Sequence, residues 1–233
     1  IVDFHLGGDA RAAQQMQAAL AALYAGGAAA DPTLGALGRD TLDVLAAIEQ
    51  LDPATYRPAG DARYPAGEFG LGLQQVAMLI KAEVGLEVAC LDLGGWDTHI
   101  AQGGSAGPMA VLLAELGAGL AALYADLRDQ AGRLLVVTMS EFGRRAQENG
   151  GLGTDHGHGS MMMLLGGAVA GGRVHGHWPG LAREQLVGPG DLAVTTDYRD
   201  VLAELVAKRL NNPNLAEVFP GYAPAFGGLV AQP

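Results

Sequence analysis

The sequence predicts an α/β fold in which a mostly parallel central sheet is flanked by helices. Three observations carry that expectation. Short apolar runs at 86–93 ("LEVACLDL") and 134–139 ("LLVVTM") have the length of buried strands. Between them Leu112, Leu116, Leu120, Leu123 and Leu127 recur at helical spacing, and a third apolar run, "MMMLLGG" at 161–167, follows. Strand, helix and strand in that order read as a β-α-β unit.

Taken in order, residues 9–51 are helical in pattern. "ARAAQQMQAALAALYA" is followed by a Gly/Ala/Asp-Pro break and then by "LGRDTLDVLAAIEQL", where Leu42, Leu45 and Ile48 mark one face. A Pro/Gly-rich passage at 53–72 separates this part from the rest, so 1–63 reads as a helical N-terminal segment and 64–233 as the α/β portion. Pro108 suits the first turn of the central helix. The last helix opens at "TTDYRDVLAELVAKRL", with Thr and Asp in capping position before Val201, Leu202, Leu205 and Leu210. The start, "IVDFHLGGDARAA", has neither an initiator Met nor a basic and apolar leader, and reads as the trimmed end of a longer chain.

Composition narrows the function. The chain has 233 residues, 49% hydrophobic and 17% charged, enough to bury a core. Its net charge of -11, with no basic cluster longer than the Arg144-Arg145 pair, argues against nucleic acid as a partner. No uninterrupted apolar run is long enough for a membrane span, so none is expected. Cys90 is the only cysteine; lying in "LEVACLDL", it is expected to be a buried structural thiol.

The polar residues fall at one edge of the predicted sheet. The first strand runs into "GGWDTH", which delivers Asp97 and His99, and the second into "SEFGRR", which delivers Glu141. The loop "GGLGTDHGHGS" supplies Asp155, His156 and His158 ahead of the third strand. Ligands in open α/β sheets bind at the C-terminal edge of the strands. Carboxylate and imidazole without cysteine are the donors of an exchangeable or catalytic site, so the expected cofactor is a divalent metal: Zn, Mn, Fe or Ca. Arg144 and Arg145 are candidate contacts for a substrate anion. Plainer readings stand beside these: Asp97 and Asp155 adjoin turn-forming residues, and Glu141 can pair with Arg144. The second histidine pair, His175 and His177, has no adjacent carboxylate and is assigned to structure or substrate contact. "GGSAG" at 103–107 matches the serine-hydrolase elbow, but some ten loop residues separate Ser105 from the preceding strand, so Ser105 as nucleophile stands as the minority reading.

The segments "YPAGEFGLGLQQVAMLIKAEVGLEVACLDLGGWDTH", "VVTMSEFGRRAQENGGLGTDHGHGS", "LLGGAVAGGRVHG" and "TTDYRDVLAELV" together resemble the bacterial family catalogued as domain of unknown function 1501, in the alkaline-phosphatase-like superfamily. The resemblance covers roughly 64–222 and implies a mostly parallel sheet with one or two divalent metals at its edge. It also implies hydrolysis of a small anionic phosphate or sulfate ester, and export by a twin-arginine signal to the periplasm or cell surface. By motif it places metal ligands at Asp97, His99, Glu141, Asp155 and His156. Such relatives carry a further N-terminal strand and acidic ligand that "HLGGDARAA" echoes loosely, so this portion is expected to need its N-terminal part or another chain to complete the sheet. The competing expectation is a non-catalytic surface or assembly protein that retains a structural metal.

Overall fold

The computed structural model describes residues 10–25, 32–51 and 53–231; His5 and the Asp9 echo of the upstream motif lie outside them. The chain opens with two helices, α1 (Ala10–Ala25) and α2 (Pro32–Glu49), which pack on each other. Their close approach needs a glycine: a Cβ at Gly38 would sit 2.5 Å from the Tyr24 ring. Arg39 Nη1 donates to the Tyr24 carbonyl at 3.1 Å and closes the same contact.

Two further helices, α3 (Glu68–Lys81) and α4 (Pro108–Asp126), build the core. The predicted leucine stripe of α4 turns inward, where Leu123 and Leu127 join Phe69, Leu73 and Ala77 of α3 in one buried cluster. At Gly119 a Cβ would meet Leu73 Cδ1 and Phe69 Cε1 at 2.7 Å, so the helices meet across a missing side chain. The end of α4 carries a buried carboxylate. Asp126 accepts from Tyr56 Oη (2.6 Å), Tyr64 Oη (2.7 Å), the Ala59 N–H (2.5 Å) and Lys81 Nζ. Burial raises the Tyr56 and Tyr64 hydroxyls well above their ordinary value, and Asp126 beside them adds to the rise. By length and composition α4 is apolar enough to cross a bilayer. The sequence reading missed this because Glu115 interrupts the run; here the helix lies along α3.

The expected parallel sheet is not there. Among the described residues the strands are β1 (Leu135–Val137), β2 (Gly143–Arg144), β3 (His156–Gly157) and β4 (Leu164–Gly166), forming two antiparallel pairs, β1 with β4 and β2 with β3. Leu135 faces Gly166 and Val137 faces Leu164; Arg144 faces His156. The reason lies in the connection. A parallel return needs a crossover, usually a helix, whereas the passage between β1 and β4 holds only the β2–β3 hairpin and loops, which bring the chain back antiparallel. The run at 86–93 forms no strand at all: residues 85–98 make no helix, ladder, turn or bend, and 85–92 are exposed throughout. Cys90, expected to be buried, is therefore exposed.

The chain ends with α5 (Tyr198–Lys208) and the short α6 (Leu215–Val218). Asp197 caps α5 as its sequence predicts, accepting from the Arg199 N–H at 2.9 Å. The side-chain hydrogen bond from Arg199 lowers the Asp197 carboxyl to about 2. Glu204, fully buried on α5, accepts from Lys208 Nζ (2.7 Å) and the Val230 N–H (3.1 Å), which fastens the C-terminal tail to the helix.

Candidate metal centre

Three loops meet at the predicted site. The ladder-free stretch at 85–98 leads through Asp97 and Thr98 to His99; the loop at 149–154 lies against it; β3 brings His156. The stitching is polar. Ala101 and Gln102 donate to the Gly151 and Leu152 carbonyls at 2.9 Å each, and the Gln102 side-chain oxygen accepts from both Thr98 Oγ1 (2.9 Å) and Thr154 Oγ1 (2.8 Å). Asn149 is the hub. Its Nδ2 donates to the His99 carbonyl (3.1 Å) and Asp155 Oδ1 (2.9 Å), while its Oδ1 accepts from the Gly151 and Gly153 N–H groups. A Cβ at Gly153 would lie 2.4 Å from the His99 carbonyl, so only glycine lets the loops touch. Arg144 spans the same junction, donating to the Trp96 and Thr154 carbonyls.

Asp97, His99 and His156 come together there. Each offers one ligand atom, and these atoms all lie within 4.8 Å of one another. Asp97 Oδ1 is 2.6 Å from His156 Nε2 and 3.1 Å from His99 Nε2. The imidazole of His156 stacks on Phe142 at 4.0 Å and 10°, and the two histidine rings are 4.8 Å apart. The side chains remain 63%, 41% and 47% exposed for Asp97, His99 and His156, so one side of the group faces solvent. The hydrogen bond with His156 holds the Asp97 carboxyl below its ordinary value, with His99 and Arg144 adding to the effect.

The donor set fits a divalent metal on its chemistry. His99 presents Nδ1 to Asp155 Oδ1 at 3.4 Å, the carboxylate-backed arrangement that fixes the tautomer of a ligating histidine. In the tautomer with its proton on Nδ1, the lone pair of His99 Nε2 would face the Asp97 oxygen. Two acceptors at 3.1 Å call for a cation or proton between them. Asp155 is itself held below the ordinary carboxylate value, first by the Asn149 hydrogen bond and then by His99 and Arg145.

The other predicted site residues are not among these three donors. Asp155 stands behind His99, and Glu141 is exposed with no described partner. His158 pairs with the buried Asp191, Nδ1 to Oδ2 at 2.5 Å. Arg145 bridges two carboxylates, 3.2 Å from Asp155 and 3.6 Å from Asp191, and Arg144 lies 3.6 Å from Asp97. Both guanidinium groups are engaged with acceptors of the protein itself. Ser105 sits exposed in the loop before α4, without a strand directly ahead of it. His175 and His177 are exposed and away from the triad. Sequence reasoning missed Asn149, Phe142 and Asp191. The first stands in "ENGG" and the last in "GPGDL", both of which read as plain turns.

A family model described as "Protein of unknown function (DUF1501)" matches residues 10–211. No curated protein and no solved structure matches the chain.

Proposed function

The chain belongs to that family, DUF1501, and on this premise we propose that it is a metal-dependent hydrolase of phosphate or sulfate esters whose ion is held by Asp97, His99 and His156. The observation that carries the reading is the grouping of Asp97, His99 and His156, whose ligand atoms lie within 4.8 Å of one another, with Asp155 behind the His99 ring. The parallel sheet shared by alkaline-phosphatase-like enzymes plays no part in it.

A divalent ion held by these two imidazoles and the carboxylate would supply Lewis acidity and a water made more acidic at neutral pH. The chain's own residues do the rest. Asp155 and Asn149 orient His99, Phe142 holds the plane of His156, and the exposed side of the triad admits substrate. Thr98 and Thr154 hydroxyls both donate to Gln102, and Ser140 Oγ donates to the Phe142 carbonyl at 2.9 Å; the attacking group in this reading is water.

The test is elemental analysis with an ester panel on the intact protein. Asp97→Ala and His156→Ala are each expected to abolish stoichiometric metal while preserving the circular dichroism of the fold, and chelation is expected to stop turnover until Zn or Mn is returned. Unchanged metal content in both variants sinks the site. Full metal content with no turnover on any ester transfers the protein to the non-catalytic reading, in which the ion is structural.

A further inference from the structure

Asp191 is a charge in an unusual place, only 3% exposed at the end of a turn at 187–191. The turn closes on itself through the Asp191 N–H and the Val187 carbonyl at 2.8 Å, and it is stitched to the β2–β3 hairpin from both sides. The Ala146 N–H donates to the Gly190 carbonyl at 3.0 Å and the Gly159 N–H to the Leu192 carbonyl at 3.1 Å. Arg145 and Asp191 are opposite each other in that seam. A buried carboxylate is costly unless it is paired, and this one faces two partners. Oδ2 meets His158 Nδ1 at 2.5 Å, and Oδ1 lies 3.6 Å from Arg145 Nε. Those last two atoms are buried, and neither makes a hydrogen bond among the described residues. Each is the other's compensation, so Arg145 cannot swing away without stranding both in the interior.

The other arm of the same guanidinium reaches the metal centre. Arg145 Nη1 donates to Asp155 Oδ2 at 3.2 Å, and the Arg145 N–H donates to the Asp155 carbonyl at 3.0 Å. That leaves Asp155 Oδ1 for Asn149 Nδ2 at 2.9 Å and His99 Nδ1 at 3.4 Å. The last torsion of an aspartate is soft, so a carboxylate gripped at one oxygen can turn; gripped at both, it presents one fixed edge to the ring.

We infer that Arg145 is a positioning residue of the metal centre: anchored on buried Asp191, it sets the Asp155 carboxylate against His99 and so aims the His99 ring at the ion. The assignment rests on the metal reading proposed above. It gives Arg145 a different task from the substrate-anion contact that its place in the sequence suggests.

Charge and geometry predict opposite signs here. A guanidinium near a cation repels it, so removing Arg145 for its charge alone tightens metal binding. Removing a group that orients a ligand weakens binding, by about ten- to a hundredfold for such outer partners.

The test is Zn affinity of the intact chain, read by competition with an indicator dye, for the parent, Arg145→Ala, Asp155→Asn and the double variant. Arg145→Ala is expected to bind Zn about tenfold or more weakly with one site per chain. The double variant is expected to be no weaker than Asp155→Asn alone, because both changes act through one carboxylate. Arg145→Lys keeps the charge without the fork and is expected to fall short of the parent. Should Arg145→Ala unfold because Asp191 is left unpaired, Arg145→Gln with Asp191→Asn removes both charges together and is expected to show the same loss. Unchanged or tighter binding in a folded variant, full recovery by lysine, or additive losses in the double variant overturns the assignment. Nuclear magnetic resonance of the metal-free chain with nitrogen-labelled histidine separates this outcome from failure of the metal reading. Arg145→Ala is expected to move the His99 ring-nitrogen signals, identified by their loss in His99→Gln, in the same direction as Asp155→Asn. A parent that binds no Zn ends the metal reading and leaves the positioning of His99 to that spectrum, where signals unmoved by Arg145→Ala overturn it.

Discussion

His99 shows how much one side chain can report. Its two nitrogens face two carboxylates, Asp155 and Asp97, and only one of those contacts can be an ordinary N–H donation by a neutral ring. On the proposed reading Asp155 acts through His99, and Asp155→Asn is expected to weaken metal binding by about 10- to 100-fold while leaving one site per chain. Competition against a metal indicator dye measures this; loss of the whole site would instead make Asp155 a ligand. Because neutral imidazole and ionised carboxylate are the binding forms, affinity should fall as the solution is acidified. At this scale the sequence was legible where residue type is scarce: the histidines and acids of "GWDTH" and "TDHG" were singled out, and three of them meet. What chain order could not show was which carboxylate stands in front of a ring and which behind it, because that depends on how loops 52 residues apart are hydrogen-bonded together.

At the scale of elements, helices were readable, and two of the three strand runs hold strands at β1 and β4, but how strands pair was not readable. Periodicity finds a helix because its hydrogen bonds are local, and the inward stripe of α4 and the Asp197 cap of α5 follow from spacing alone. A short apolar run carries no information about its partner. "LLVVTM" contains β1, whereas "LEVACLDL", of the same character, has no ladder at all. The loops of the metal centre depend on glycine for a different reason, close backbone approach. Gly153→Ala is expected to push the 149–154 loop off His99 and lower metal affinity at least tenfold, with the α3–α4 core unaffected. Isothermal titration beside a melting curve separates the two effects, and an unchanged affinity would show that the loop can shift without disturbing the donors.

For the whole molecule, the Asp126 hub sets the acid limit. Burial alone would raise this carboxyl, but hydrogen bonds from Lys81, Tyr56, the Ala59 N–H and Tyr64 outweigh it and leave it below its ordinary value. A carboxyl lowered in the folded state stabilises fully above its unfolded value, near 3.9, and that contribution is lost as pH falls through the lowered folded value. Asp126→Asn is expected to cost about 2–4 kcal/mol at neutral pH, and its stability should begin to converge with that of the parent as pH falls below about 4. Denaturant titrations at several pH values check this; parallel curves throughout would remove Asp126 from the account. The ladder-free stretch at 85–98 also has a consequence for anyone handling the protein. Trypsin cleaves after basic residues and has no target between Lys81 and Arg128, so a digest releases the exposed stretch whole, on one peptide with Asp97 and His99. Elastase, which cuts after small apolar residues, meets Val88 and Ala89 in the open, and its rate of cleavage there becomes a clock for whatever lies across them.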